Sequence, residues 1–174
     1  PDENIDCVVY GCTSGTIAVG HDTIERKVKK AKPKAKIITP STATIKALKR
    51  LNIKKTAIFT PYSKKLNDEV IDYFSSAGFD IVANTYLDIA ADYDIGKVDQ
   101  NFLFKTLSQI EIKNADALFI SCTALPVLNL IERLENVLGK PVITSNQSLI
   151  WDTLESIGMN ENILGFGKLF NLNK

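Results

Sequence analysis

Several patterns that would point to common ligands are missing from this 174-residue chain. The GxGxxG pattern of dinucleotide-binding proteins and the GxxxxGK[ST] pattern of the P-loop do not occur, so nucleotide binding of either kind lacks support. No hydrophobic run approaches the length that spans a membrane, and no signal-peptide pattern opens the chain. The net charge is only +1. We therefore expect no nucleic-acid and no membrane partner.

Histidine and cysteine are also scarce. The chain contains one histidine and three cysteines, an odd number whose spacing fits neither a disulfide framework nor a zinc site. We therefore expect no metal, and free thiols of the kind that a reducing cytoplasm maintains. The basic residues of segment 26–36 are not interleaved with aromatic residues, so we interpret them as the solvated face and end of a helix.

What the chain does contain is a regular alternation of strand and helix patterns within a composition that is 45% hydrophobic and 24% charged. The predicted strands are 5–10, 35–39, 56–60, 79–86, 117–121 and 142–144. The predicted helices are 16–30, 41–51, 63–77, 99–112, 126–138 and 147–157, with a loop over 87–98. Strands separated by helices indicate βαβ units and hence an α/β fold with parallel sheets.

One short phrase occurs twice. The segment 6–13 recurs as 116–123, which places Cys12 and Cys122 at equivalent positions 110 residues apart. Each copy is an apolar run of strand length that ends in Cys-Thr and leads into a helical pattern. The sequence therefore predicts two similar halves that face each other with a ligand between them.

The expected division follows the repeat. Residues 1–55 form part of the first half, whose amino-terminal strand we expect to be missing, since the chain begins with Pro1 and enters a strand within a few residues. Residues 56–157 form the second half. The tail, 158–174, is expected to return to the first half and to contain a final strand or extended segment.

The two repeated cysteines are the candidate catalytic residues. Cys12 and Cys122 each follow a predicted strand and precede a helix, which is where open α/β sheets bind their ligands. The amides at a helix start also favour the thiolate, the form that does chemistry. Cys7 lies in the middle of a strand, so we interpret it as an inert core residue.

Small and polar residues beside these cysteines are candidate anion donors. In the first loop, Thr13 and Ser14 offer hydroxyl and backbone N–H groups to an oxyanion, and Thr123 repeats the arrangement beside Cys122. Tyr62 directly follows another strand, so its phenol is expected to donate to a carboxylate in the same crevice. We interpret the acidic residues between 88 and 94 as a solvated loop.

Two kinds of chemistry fit this set. One thiolate and one thiol on opposite faces of a carbon acid exchange its α-proton as base and acid. Alternatively, one thiolate adds to an activated double bond while the other thiol protonates the neighbouring carbon. A carboxylate-binding protein without activity uses the same crevice and stays a third possibility.

The motifs resemble one family. Four of them, in order, are similar to those of the aspartate/glutamate racemase superfamily, in the branch of maleate isomerases, arylmalonate decarboxylases and ectoine-utilisation proteins: 10–15, 60–62 with Asn67, 121–123 and 145–147. The resemblance implies two Rossmann-like (flavodoxin-like) halves with the active site in the cleft between them, and no cofactor. It assigns Cys12 and Cys122 as the catalytic pair.

The resemblance also implies a function and its alternatives. It favours a cofactor-independent racemase or isomerase of a small dicarboxylic or amino acid, with Thr13, Ser14, Tyr62 and Thr123 as substrate-binding donors. A maleate-type cis–trans isomerase with a covalent Cys12 adduct is the alternative. Arylmalonate decarboxylases keep only the second cysteine, so Cys12 argues against that activity. Members commonly form homo-oligomers and begin with a further strand and loop, which we expect to be missing here.

Overall fold

The computed structural model describes residues 4–159 and 162–172. In this part of the chain six strands alternate with eight α-helices. They are β1 (Cys7–Val9), α1 (Thr13–Val19), α2 (His21–Lys29), β2 (Lys36–Ile38), α3 (Pro40–Arg50), β3 (Lys55–Thr60), α4 (Lys64–Ser76), β4 (Asp80–Tyr86), α5 (Asp92–Ile95), α6 (Gln100–Ser108), β5 (Ala117–Ile120), α7 (Ile131–Leu138), β6 (Val142–Thr144) and α8 (Ser145–Ser156). Single 3-10 turns lie at Leu128–Leu130 and Lys168–Asn171.

The strands form two sheets, and every pairing is parallel. β1 pairs with β2, while the second sheet has the order β4-β3-β5-β6. The repeated phrases therefore occupy corresponding places, because β1 pairs with β2 as β5 pairs with β6. This arrangement confirms the predicted α/β class with parallel sheets.

The main hydrophobic core surrounds the four-stranded sheet. All four residues of β5 are buried, and so is β3 after Lys55, as expected for strands with a neighbour on each side and helices on both faces. β4 alternates between exposed and half-buried residues, which fits its position at the edge. Phe74 of α4 packs on Phe119 of β5 with ring centroids 4.9 Å apart, so α4 is held against the sheet.

Several predicted helices differ from the structure at their ends or in their course; α6 ends at Ser108 instead of 112, and α8 begins at Ser145 instead of 147. The helix predicted over 16–30 is two helices, because Gly20 adopts φ 85° between α1 and α2. The helix predicted from Ser41 begins at Pro40, with Thr39 as its N-cap residue. The segment predicted as helix from 126 forms a 3-10 turn before α7 begins at Ile131.

The described part of the tail, 162–172, contains a 3-10 turn and no strand, so of the two forms expected for it, a final strand or an extended segment, the strand is wrong. The buried Glu135 of α7 holds this segment, because its carboxylate accepts the Lys168 N–H at 3.0 and 3.1 Å. Gln147 of α8 donates to the Phe166 carbonyl oxygen. The division of the chain at residues 56 and 158 stays a prediction.

None of the helices within 4–159 and 162–172 is both long enough and apolar enough to cross a bilayer.

Candidate active site

One cavity brings the two repeated turns together. Its volume is about 390 Å³, and it lies where β1, β3 and β5 end. The cavity is lined by Gly11, Cys12, Thr13, Ser14, Tyr62, Asp92, Cys122, Thr123 and Ala124. The turns of Tyr62 and Cys122 follow neighbouring parallel strands of the four-stranded sheet, and the Cys12 turn of the two-stranded sheet packs against them. All six residues predicted as catalytic or substrate-binding are among the lining residues.

Cys12 is the more accessible of the two thiols in this cavity. It is half-buried and forms the N-cap of α1, where its Sγ accepts the Gly15 N–H at 3.3 Å. The Ser14 hydroxyl lies 3.7 Å from the same sulfur. Cys12 therefore faces the cavity with a backbone N–H and a hydroxyl beside it, both of which are suited to a sulfur that carries negative charge.

Gly15 keeps the space around the Cys12 sulfur open. A Cβ atom at this position would lie 2.8 Å from the Tyr10 hydroxyl oxygen and 3.0 Å from Cys12 Sγ. We expect Gly15→Ala to displace the sulfur and to slow alkylation of Cys12 by iodoacetamide by about tenfold or more, since small displacements of a reacting group are costly. Peptide mass spectrometry separates Cys12 from Cys7 and measures the rate.

Gly96→Ala is the matched control for this substitution. Its added Cβ would meet its nearest neighbours at 3.7–3.8 Å, which is ordinary contact. Alanine favours a helix over glycine, so the melting temperature of Gly15→Ala should not fall greatly. An unchanged alkylation rate in Gly15→Ala would show that the Cys12 sulfur does not depend on this space.

Cys122 differs from Cys12 in burial and in backbone conformation. Only 4% of Cys122 is exposed, and its φ of 94° lies in the region that favours glycine. Its backbone N–H donates to Ser145 Oγ at 3.1 Å, which holds the turn in place. Strained backbone of this kind persists where surrounding contacts enforce it and is common at active sites.

Burial raises the pKa of the Cys122 thiol above its ordinary value of 9.0. The Tyr62 phenol and the N–H groups of Ala124 and Leu125 oppose this rise but do not cancel it. Tyr62 is itself buried, and burial together with the neighbouring Cys122 raises the pKa of the phenol. Both groups therefore keep their protons at neutral pH.

Ser145 connects the two repeated turns. Its Oγ accepts from the Thr13 hydroxyl at 3.0 Å as well as from the Cys122 N–H. The Thr123 hydroxyl donates to the Gly11 carbonyl oxygen at 2.8 Å. The hydroxyl protons of Thr13 and Thr123 are thus used within the protein, where they hold the two cysteine-bearing turns at a set distance.

Asp92 is the cavity residue that the sequence interpretation missed. The sequence predicts a loop over 87–98 with solvated acidic residues, but the structure forms the short helix α5 there, and Asp92 lines the cavity. Ile95 of the same helix is 1% exposed and anchors α5 in the main core. The Asp-x-x-Ile spacing is the only local signal for this placement. Cys7, which was expected in the core, is half-buried at the start of β1 and packs against a small cluster of Ile38, Ala43 and Leu149.

Comparison with known proteins identifies the family of this chain. The model of the arylmalonate decarboxylase family matches residues 20–170. A maleate isomerase of Geobacillus stearothermophilus is 26% identical over 178 residues, which cover 98% of this chain and 71% of that protein.

Solved structures support the same relationship. The maleate isomerase Iso from Pseudomonas putida S16, solved as an alanine variant with maleate, superposes with a TM-score of 0.89 at 26% identity, covering 96% of this chain and 70% of that one. A maleate cis–trans isomerase variant of Nocardia farcinica with a covalently bound succinylcysteine intermediate superposes with a TM-score of 0.91 at 22% identity. The match covers 98% of this chain and 73% of that one, which shows the shared fold.

These relatives confirm the resemblance stated from the motifs, and they support the expectation of an enzyme of the isomerase class. The family match covers most of the chain, and the related structures share its parallel-sheet architecture. The chain therefore belongs to the arylmalonate decarboxylase family.

Proposed function

We propose that the protein is a cofactor-independent cis–trans isomerase of a small unsaturated acid of the maleate type, with Cys12 as nucleophile and Cys122 as proton donor. The observation that carries the proposal is the unequal environment of two thiols on one cavity. Cys12 is accessible and accepts a backbone N–H, whereas Cys122 is buried and holds its proton. Such a pair supplies a nucleophile and an acid at the same time.

The first step is addition. The Cys12 thiolate attacks one carbon of the double bond, and the π-electron pair moves to the neighbouring carbon and its carboxylate. Cys122 then donates its proton to that carbon, which leaves a thioether on Cys12 and a thiolate on Cys122. The former double bond is now a single bond and can rotate.

Elimination completes the cycle. The Cys122 thiolate removes a proton from the carbon, the double bond forms again in the trans geometry, and the bond to Cys12 breaks with return of the electron pair to sulfur. The backbone N–H groups of Thr13 and Ser14 have no protein acceptor within 4–159 and 162–172. We assign them, with the Ser14 hydroxyl, to a carboxylate of the substrate.

The relatives favour this reaction over proton exchange at a saturated carbon. Racemisation of an amino acid uses the same two thiols and stays a prediction, but the relatives compared above are named for maleate isomerisation. Decarboxylation fits the family model. It does not account for a nucleophilic thiol at Cys12, because a decarboxylase requires only one thiol as proton donor.

Proton NMR provides the direct test. We expect the protein to convert maleate, or its monoamide, to the trans isomer without added cofactor. We also expect a mass increase equal to that of the acid on the peptide that contains Cys12, because addition forms a covalent bond. Exchange of the α-proton of aspartate or glutamate in D₂O, with no conversion of either unsaturated acid, would instead support a racemase.

The raised pKa of Cys122 predicts the pH profile. The donor must be protonated, so the alkaline limb of the isomerisation rate should lie above pH 9.0. Tyr62 lowers the pKa of Cys122, so Tyr62→Phe should move this alkaline limb to higher pH. Initial rates between pH 6 and about 11 measure the limb. A limb that moves to lower pH in Tyr62→Phe would contradict the assignment of the donor.

A further inference from the structure

Apart from the two thiols, Asp92 is the one acidic side chain among the described residues that line the cavity. No lysine, arginine or histidine is among these described residues, so none of them offers a positive charge to a ligand. A dianionic substrate would therefore meet neutral donors on one wall and a carboxylate on another. The chemistry of this cavity favours one carboxylate over two.

The Asp92 carboxylate is not neutralised by the protein. Within residues 4–159 and 162–172 it accepts no hydrogen bond and forms no ion pair, although its backbone carbonyl accepts the Gly96 N–H. The nearby Lys97 instead lies over the Tyr93 ring, 3.6 Å from its centroid. The charge of Asp92 is thus available to a ligand in the cavity.

The position of Asp92 is set by the fold. Ile95 buries one end of α5 in the main core, and the Ala124 carbonyl oxygen lies 3.8 Å from where a Cβ of Gly96 would stand. α5 therefore packs beside the turn that carries Cys122. The charge of Asp92 also reaches the Cys122 thiol, where it contributes to the rise in pKa.

We propose that Asp92 makes the cavity selective for an unsaturated acid that carries one carboxylate and, at its other end, a hydrogen-bond donor such as a primary amide. The proposal rests on the isomerase function proposed above. The single carboxylate binds the Thr13 and Ser14 N–H groups, and the amide N–H₂ donates to the Asp92 carboxylate. A second carboxylate at that end would be repelled by Asp92, and such like-charge contacts are strongly unfavourable.

Substrate competition tests the proposal. We expect kcat/KM for the monoamide of maleate to exceed that for maleate by about tenfold or more in the parent protein. Asp92→Asn should remove the repulsion, lower KM for maleate and shift the ratio toward maleate by about the same factor. Asp94→Asn removes an equal charge from the same helix at a residue that does not line the cavity, and it should keep the parent ratio.

The outcomes separate this proposal from the proposed function. If Asp92→Asn and Asp94→Asn give the same ratio of kcat/KM values as the parent, the proposal that Asp92 sets the selectivity is wrong, even though isomerisation occurs. If neither acid is converted, calorimetry with succinate and succinamate measures the same preference, because these saturated analogues bind without reacting. A shift of their affinity ratio in Asp92→Asn supports the proposed selectivity even without isomerisation. An unchanged ratio overturns it. Failure of both the parent and Asp92→Asn to bind either analogue also overturns it.

Discussion

Cys12→Ser is expected to abolish the covalent adduct and to reduce isomerisation by at least about 1,000-fold, because a serine hydroxyl is not ionised near neutral pH and is a far weaker nucleophile. The substitution changes one atom on a half-buried side chain, so the Gly15 N–H still has an acceptor and the start of α1 keeps its cap. The loss should therefore be chemical and not structural.

The measurement combines proton NMR for turnover with intact-protein mass spectrometry for the adduct. Cys7→Ser is the matched control, since Cys7 is also a half-buried free thiol but packs in a cluster apart from the cavity. We expect Cys7→Ser to form the adduct at the parent rate. If Cys12→Ser retains the adduct, another residue is the nucleophile and the assignment to Cys12 is wrong.

Cys122→Ser is expected to separate the two halves of the reaction. Without the thiol, removal of the proton from the adduct loses its base, and turnover should fall by about 100- to 10,000-fold. Addition at Cys12 leaves a carbanion that solvent can protonate, so the rate of addition should fall less than the rate of turnover. The adduct should therefore accumulate, with a mass increase of about 116 Da for maleate.

This prediction distinguishes addition from α-proton exchange. A two-base racemase forms no bond between sulfur and carbon, so neither the parent nor Cys122→Ser would gain mass with any substrate. Circular dichroism should show a folded Cys122→Ser protein, because the backbone N–H of residue 122 still donates to Ser145. Loss of turnover without a trapped adduct would favour the racemase instead.

The double variant Cys12→Ser/Cys122→Ser provides the reference for both experiments. We expect it to form no adduct and to be no less active than Cys12→Ser alone, because removal of the nucleophile already stops the reaction and effects within one catalytic unit do not add.

Local patterns were sufficient to predict the alternation of strands and helices, because the hydrophobic periodicity of a buried strand or helix face involves only neighbouring residues. These patterns failed where a single residue determines the backbone conformation. Gly20 divides one predicted helix into two, and the segment before Ile131 forms a 3-10 turn. In the tail, the carboxylate of the buried Glu135 accepts the backbone N–H of Lys168, and no sequence periodicity indicates this contact.

The cysteine pair was predictable for a similar reason. Each thiol lies directly after a strand of one copy of the repeat, which is where open α/β sheets bind their ligands, although the two strands belong to different sheets. The unequal burial of the two thiols was not predictable from the residues, because burial of Cys122 depends on packing by residues far along the chain. Asp92 was missed because a short helix anchored by one buried isoleucine looks like a polar loop in sequence.

The amino-acid sequence by itself determined the α/β class, the repeat and the edge of the sheets at which the chemistry-bearing residues collect, because all three follow from local hydrophobic patterns and chain order. Only the tertiary structure decided which thiol is exposed, which keeps its proton and which charge faces the cavity. Desolvation and long-range contacts control these properties, and both arise when segments that are distant in sequence pack together.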